Sequence, residues 1–167
     1  MTGMTTDRLN LPLIASGQAQ KEMTHNEALA LLDIAVQPVV EAIGVDTPPL
    51  SPVAGQCWIV GSAPTGVWTG RAGALAGWTP SGWRFLMPRA GWSAWAKDSG
   101  LTVRYDGENW IMGALAAARI EIDGVQVLAA QQAAIAAPDG GTIIDAEARG
   151  VLTNVINALR AHGLIAT

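Results

Sequence analysis

The sequence predicts an α+β fold in which a small antiparallel, tryptophan-rich β module, a sheet or a barrel, is flanked by an N-terminal helix and a C-terminal helix. All nine aromatic residues lie between Trp58 and Trp110, whereas the first 57 and the last 57 residues contain none. Residues 47–113 also contain 11 of the 19 glycines and six of the nine prolines. This density of turn-forming residues favours short strands joined by tight turns.

The composition indicates a protein that makes permanent contacts with other chains. Half of the residues are hydrophobic, the mean hydropathy is +0.27 and 14% are charged, compared with about 25% in a typical soluble domain. So few charges leave apolar patches on the surface of a monomer, and such patches usually mark partner surfaces. The alternative is a monomer whose hydropathy is raised by its many alanines and glycines.

The charges are unevenly placed. Residues 47–103 carry a net charge of +3, whereas residues 1–46 carry −4 and residues 104–167 carry −3. The module and the acidic segments of neighbouring copies could attract each other, and a chance scatter of few charges explains the pattern equally well. Because +3 is a small charge for a nucleic-acid surface, we expect no nucleic-acid partner.

Neither a membrane segment nor a secretion signal is predicted. The longest uncharged run, residues 47–70, contains four prolines and four glycines, which break a membrane-spanning helix. The N-terminus lacks a basic segment followed by an apolar stretch. Cys57 is the only cysteine, which excludes an internal disulfide and a cysteine metal cluster. We therefore expect synthesis in a bacterial cytoplasm and no membrane partner.

The chain divides into five segments of different character. We predict an extended N-terminal arm at 1–17, an N-terminal helical segment at 18–46, the tryptophan-rich β module at 47–113, an alanine-rich segment with a β-hairpin at 114–141 and the C-terminal helix at 142–167.

The N-terminal helix has recognisable start and stop signals. Thr24 and Glu27 form a capping-box pattern, and apolar residues follow at helical spacing. Pro38 is expected to kink or interrupt the last turns, and Gly44 to end the helix.

The β module shows a regular spacing of tryptophans. Trp58, Trp68 and Trp78 are ten residues apart, which is typical of a meander, and Asp106-Gly107 predicts a hairpin turn. The predicted strands are 56–60, 66–69, 77–79, 83–87, 92–97, 101–105 and 109–112.

The C-terminal part contains a hairpin and a helix. Residues 119–122 alternate in polarity, Asp123-Gly124 predicts the turn, and residues 125–127 form the returning strand. Residues 129–137 are predicted to be a short helix or an irregular segment. Asp145 is the predicted N-cap of the last helix, and Gly163 follows its C-terminus.

Signals of catalysis are weak, and we predict no enzyme, cofactor or metal. His25 and His162 lie near helix ends, where capping explains them. Cys57 precedes Trp58 in a predicted strand and is expected to be a buried, inert thiol. Three carboxylates lie near tryptophans in the sequence and could serve glycoside hydrolysis: Asp98, Asp106 and Glu108. That reaction requires two carboxyl groups at a set separation.

The tryptophan-rich module is the candidate for ligand recognition. Indole faces stack on the C–H faces of sugars, and arginine or asparagine side chains bind hydroxyls or acidic sugars. Asn109 is one such donor, and the candidate carbohydrate-binding residues are Trp68, Trp83, Trp92, Trp95, Arg84 and Arg89. The alternative is that most of these tryptophans fill the core. Trp92 and Trp95 face opposite ways on a strand, so at least one should be exposed.

The candidate assembly contacts are apolar residues of the arm and of the two helices. An apolar terminal arm needs a surface on its own domain or on a neighbour, and an apolar helix stripe packs on its own domain or bundles with symmetry mates. These residues are Leu9, Leu11, Leu13, Ile14, Leu29, Leu32, Val155 and Leu159.

Eight motifs distributed along the chain carry a family resemblance. They lie at 11–22, 24–29, 55–60, 82–85, 105–110, 125–135, 145–149 and 159–165. Together they resemble a domain family of unknown function found in structural gene clusters of bacteriophages and gene transfer agents. The first and last motifs are the more specific, and similarity extends over nearly the full chain.

The resemblance implies a virion structural protein on the surface of a phage-like particle. Within that group the sequence is most similar to the base of a gene transfer agent head spike, which is bound at a capsid vertex. For such a base a pentamer is expected, and a trimer is the alternative. Its implied partners are a capsid or tail protein, a spike fibre protein and host-surface polysaccharide. Many members continue into a long fibre region, so a chain ending at Thr167 is expected to be the short base.

Three hypotheses of function follow. The first is a non-enzymatic fibre base that joins a fibre to the particle and supports attachment to the host cell. The second is a carbohydrate-binding module that recognises capsular polysaccharide through exposed tryptophans. The third is a polysaccharide depolymerase.

Overall fold

A computed structural model describes residues 4–15, 17, 21–143 and 145–167. The chain divides into two compact units, Met1–Ala114 and Leu115–Thr167, called unit 1 and unit 2 below. The predicted α+β class is confirmed, since along the chain one helix precedes and the other follows a series of strands that pair mostly antiparallel.

Unit 1 contains helix α1 (Lys21–Ala35) and two four-stranded sheets. The tryptophan sheet has the order β2-β3-β4-β5, and the second sheet has the order β1-β6-β7-β8. All pairings are antiparallel except β2 with β3 and β1 with β6. The strands are β1 (Val39–Val40), β2 (Ile43–Val45), β3 (Cys57–Val60), β4 (Leu75–Thr79), β5 (Gly82–Leu86), β6 (Ser93–Ala96), β7 (Leu101–Tyr105) and β8 (Trp110–Met112).

The tryptophan sheet is buried on both faces. Side chains alternate along a strand, so Cys57 and Ile59 join one core cluster while Trp58 and Val60 join another. The first cluster also contains Ile34 of α1 and residues of the second sheet. The helix and both sheets therefore share one core.

Gly77 of β4 allows α1 to approach this core. A Cβ atom at Gly77 would lie 2.5 Å from Cδ1 and 2.6 Å from Cγ1 of Ile34. Because carbon atoms pack at about 3.5–4.0 Å, any larger residue must displace the isoleucine.

Helix α1 lies within the predicted helical segment 18–46 but begins before the predicted capping box. Lys21 is its first described residue, so Thr24 lies inside the helix and the predicted capping box is wrong. Glu27 instead forms an ion pair with Arg84 of β5, with 2.7 Å between Oε1 and Nε. Residues 18–20 of the predicted helical segment lie outside the described residues.

Helix α1 also ends earlier than predicted, at Ala35 rather than at Gly44. Gln37 has a φ of 43°. Pro38 lacks an amide hydrogen and disfavours a helical residue before it, so the chain leaves the helix here. The following valines, predicted to be helical, form β1 and pair with β6.

One predicted strand is a 3₁₀ turn. Residues 66–69 contain the 3₁₀ helix Gly66–Trp68 instead. Gly66 has a φ of 57°, and the Thr69 hydroxyl donates to its carbonyl at 2.8 Å. This tight turn places Trp68 against the tryptophan sheet.

The described part of the N-terminal arm is a hairpin rather than an extended strand. The amide of Thr6 donates to the carbonyl of Leu11 at 3.0 Å, and the amide of Leu13 donates to the carbonyl of Met4 at 2.8 Å. The Asn26 side chain of α1 hydrogen-bonds both backbone groups of Ile14 at 2.9 Å. The arm therefore docks on its own helix.

Asp33 anchors the arm. Its buried carboxylate accepts from the Thr6 hydroxyl at 2.7 Å, the Leu9 amide at 2.6 Å and the Arg8 amide at 3.0 Å. The Arg8 guanidinium donates to four carbonyls at the end of α1, including that of Gln37 at 2.8 Å. These bonds satisfy carbonyls that a helix C-terminus leaves unpaired.

Unit 2 contains the hairpin of β9 (Ile120–Ile122) and β10 (Val125–Leu128), and helix α2 (Ala146–Ala161). The predicted turn is confirmed, with φ angles of 50° and 75° at Asp123 and Gly124. The N-cap is also confirmed, since the Asp145 carboxylate accepts from the Ala148 amide at 2.8 Å. Residues 129–137 form no helix.

Among the described residues, neither helix is long and apolar enough to cross a membrane.

Candidate functional site

The face of the tryptophan sheet opposite Ile34 of α1 carries a contiguous aromatic cluster. Trp83 is its centre, with ring centroids 5.0 Å from Trp68, 5.0 Å from Trp78, 5.5 Å from Trp58 and 6.5 Å from Phe85. Most pairs are edge-to-face, the geometry that the aromatic quadrupole favours. The small residues Ala74 and Ala76 provide the space for these rings. The cluster is the second core of unit 1.

The six predicted carbohydrate-binding residues do not form one site. Trp68 is fully buried, and its neighbour Trp83 is half-buried. Trp92 packs against the other core cluster, and Trp95 of the second sheet is 48% exposed. Their spacing of three does place these two tryptophans in different environments, as expected. The structure therefore assigns most of the tryptophans to packing.

The two arginines of that set also lie apart from the aromatic cluster. Arg84 is held by Glu27 of α1, and Arg89 is exposed in the segment between β5 and β6. A third arginine does contact the cluster. The guanidinium of Arg71 lies 5.1 Å from the centroid of Phe85, within the range of a cation–π interaction.

A cleft of about 400 Å³ opens where the tryptophan sheet meets the turn between β7 and β8. We call it the Tyr105–Trp110 cleft. The ring centroids of Tyr105 and Trp110 lie 5.4 Å apart, and their planes make an angle of 56°. The indole Nε1 of Trp110 donates to the Gly73 carbonyl at 2.9 Å. Glu108 and Asn109 supply exposed polar side chains. The sequence offered Asn109 as a sugar donor and Glu108 as a candidate carboxylate, but it did not predict that they share a cleft with Tyr105 and Trp110.

The turn that carries these polar side chains is well ordered by Asp106. Its Oδ1 accepts from the amides of Glu108 and Asn109, both at 2.8 Å. These backbone bonds to Asn109 and Glu108 lower the pKa of the Asp106 carboxyl below its ordinary value of 3.8. The carboxylate form therefore stabilises the turn.

A second cavity of about 450 Å³ lies between the N-terminal arm, α1 and the turn after β4. It is bordered by the methionines Met4 and Met23 and by the Glu27–Arg84 ion pair. The arm forms one wall, so the shape of this cavity depends on the anchor at Asp33.

Cys57 has the properties of a structural thiol. It is fully buried, and burial raises its pKa to about 11. The histidines lie at helix ends: Nδ1 of His25 lies 3.0 Å from the Lys21 carbonyl, and His162 is the C-cap of α2. Among the described residues, no three His, Cys, Asp or Glu side chains are grouped to hold a metal ion.

The candidate assembly contacts differ in accessibility. The more exposed are Leu9, Leu32 and Val155, and the half-buried ones are Leu11, Leu13, Ile14, Leu29 and Leu159. The arm residues lie on their own helix in unit 1, whereas Val155 and Leu159 belong to α2.

Unit 2 presents a large apolar surface. Every residue of its hairpin is exposed, and on α2 Val151, Leu152 and Val155 are 62%, 50% and 50% exposed. Among its described residues, the buried hydrophobic side chains are Ile156 and Ile165.

The fold and surfaces define the class of protein as an α+β protein with a tryptophan-stabilised β module and a separate apolar unit. Residues 25–111, just over half of the chain, match a family described as a protein of unknown function (DUF2793), and the chain belongs to this family. The match covers most of unit 1, from α1 into β8. No curated protein matches the chain significantly.

Proposed function

We propose that the protein is a structural component of a phage-like particle, a gene transfer agent, in which it forms the base that links a spike or fibre to the capsid or tail. The observation that carries the assembly role is the exposed apolar surface of unit 2. The assignment to a particle is supported by the resemblance of the sequence motifs to spike and fibre proteins.

The physical argument is that unit 2 has too little core of its own. An isolated two-stranded hairpin is marginally stable in water, and every residue of this one is exposed. Fully burying one valine or leucine side chain contributes about 1.5–3 kcal/mol. The exposed valines and leucines of unit 2 therefore favour association strongly.

The partner proposed is a second copy of the same chain. In a closed ring every copy makes the same head-to-tail contact with the next one, which covers apolar area without unlimited growth. The exposed stripe of α2 is uncharged, as helices that pack in bundles require. We propose a pentamer, with a trimer as the alternative.

Analytical ultracentrifugation of the full chain tests the assembly. The unchanged protein should sediment as a closed oligomer at micromolar concentration, and Val155→Asp should shift it towards the monomer. Asn157→Asp is the matched control, because it adds the same charge on the opposite side of α2. A monomeric unchanged chain, or an oligomer that Val155→Asp leaves intact, contradicts the proposal.

Particle association is tested separately. Particles purified from the source bacterium by density gradient should contain the protein, detected by mass spectrometry, in a fixed ratio to the main capsid protein. Deleting its gene should yield particles without spikes in electron micrographs and reduce their attachment to host cells. Particles that lack the protein or keep their spikes would refute this role.

The second function proposed is recognition of capsular polysaccharide by exposed tryptophans. Trp95 is the specific residue that favours it, because its indole is the most exposed of the tryptophans named for this role. Polysaccharide binding that is lost in Trp95→Ala would support this function, and binding that survives would remove Trp95 from it.

A further inference from the structure

We infer that the Tyr105–Trp110 cleft is a binding site for a neutral saccharide unit. This inference deepens the adhesive part of the proposed function, and it depends on that function only for the source of the saccharide. The cleft contains none of the six candidate tryptophans and arginines, but it does contain Asn109, which the sequence offered as a hydrogen-bond donor to sugars.

The size and shape of the cleft suit a small ligand. Its volume of about 400 Å³ lies within the range of about 300–1,000 Å³ typical of ligand sites. Gly73 and Gly61 form part of its wall, where side chains would take up space. A Cβ atom at Gly61 would also collide with Asp46.

The two aromatic rings supply an apolar wall with a fixed orientation. Tyr105 and Trp110 pack directly on each other, with centroids 5.4 Å apart and planes tilted by 56°, so together they form one continuous aromatic wall of the cleft. The bond from Trp110 Nε1 to Gly73 holds the indole and links β8 to the tryptophan sheet. Such faces pack on the C–H groups of a sugar ring.

The polar groups at the cleft match hydroxyl groups. Glu108 offers a carboxylate acceptor, Asn109 an amide that both donates and accepts, and Ser62 and Tyr105 offer hydroxyls. The bonds from Asp106 to the Glu108 and Asn109 amides keep the turn in place before a ligand arrives. Because the turn is already ordered in the free protein, binding costs less conformational entropy.

Other ligand classes fit the cleft less well. Its described lining contains one acidic residue, Glu108, and neither lysine nor arginine. A phosphate or an acidic sugar would meet repulsion without a balancing cation. A wholly apolar ligand would leave the carboxylate and the amide without water or a partner. A neutral, polyhydroxylated ring satisfies both parts of the surface.

Saturation-transfer difference NMR on the full chain tests the inference with free glucose, galactose, mannose, N-acetylglucosamine and rhamnose as probes. At least one should bind with a dissociation constant of about 1 mM, as expected for a weak single-ring site. Glu108→Gln and Asn109→Ala should each weaken binding about tenfold, the loss expected for a hydrogen bond to a charged or amide group.

The controls separate binding from folding. Tyr105→Phe keeps the ring and removes one hydroxyl, so a loss of affinity with an unchanged unfolding midpoint supports direct contact. Asp98→Asn and Glu147→Gln change exposed carboxylates outside the cleft, and should leave binding unchanged. The inference is overturned if no probe binds, if the cleft variants bind normally, or if only the control variants lose binding.

The same variants distinguish this inference from the proposed function. Oligomers and particle association that persist without saccharide binding would overturn the cleft and leave the structural role intact. Saccharide binding by a protein that neither self-associates nor occurs in particles would support the cleft and overturn the structural role.

Discussion

Removing the charge of Asp33 should release the N-terminal arm. In Asp33→Asn one amide oxygen can still accept from Thr6 and Leu9, but the new NH₂ group faces the Arg8 amide, which donates to Oδ2 in the native chain. A buried donor without an acceptor costs about 1–3 kcal/mol. Asp33→Ala leaves all three donors without this acceptor and should cost more than Asp33→Asn, about 3–5 kcal/mol.

Two measurements report this change. Tryptophan fluorescence during urea unfolding reports on unit 1 alone, because all seven tryptophans lie there. Hydrogen exchange of residues 6–9 reports on the arm, and about 3 kcal/mol corresponds to exchange more than 100-fold faster. Asp98→Asn, in an exposed turn, should change stability by less than about 0.5 kcal/mol. The reasoning is refuted if Asp33→Asn matches that control and its arm amides stay protected.

Three further predictions concern unit 1. Gly77→Ala should destabilise it by about 1–3 kcal/mol. In an Ile34→Ala background the cost should be much smaller, because the clash involves the Ile34 side chain. Equal costs in both backgrounds would disprove the contact. Cys57 should resist iodoacetamide at pH 8 in the native protein and react after unfolding in urea, since it is buried and its pKa is about 11; rapid native labelling would contradict its burial. The pKa of Asp106 is lowered in the folded state, so its stabilisation is present above pH 3.8 and is lost as the pH falls through the folded value. Asp106→Asn should accordingly unfold more easily than the unchanged protein at pH 7, and the difference should shrink as the pH is lowered below 3.8.

Local signals in the sequence identified the elements that depend on neighbours in the chain. The strand Leu101–Tyr105 and the Asp123-Gly124 turn occur where they were predicted, because alternation and turn chemistry act over a few residues. The Asp145 cap depends on a bond only three residues long. The concentration of aromatic residues likewise predicted the β module.

Contacts between residues distant in the sequence determined the structure at the positions where the local signals predicted it wrongly. Thr24 and Glu27 satisfy a capping pattern, but Glu27 pairs with Arg84, which is 57 positions away. The valines of β1 suit either a helix or a strand, and pairing with β6 selects the strand.

The sequence by itself determined the class of fold, the β module and the two ends of helix α2, because composition, turn residues and caps act locally. The tertiary structure decided which tryptophans form the core, that the N-terminal arm is anchored by Asp33, and that Tyr105, Trp110, Glu108 and Asn109 share a cleft with Gly73. These depend on how two sheets and a helix meet, and that geometry arises from burial of apolar surface over the whole unit. No short stretch of sequence specifies it.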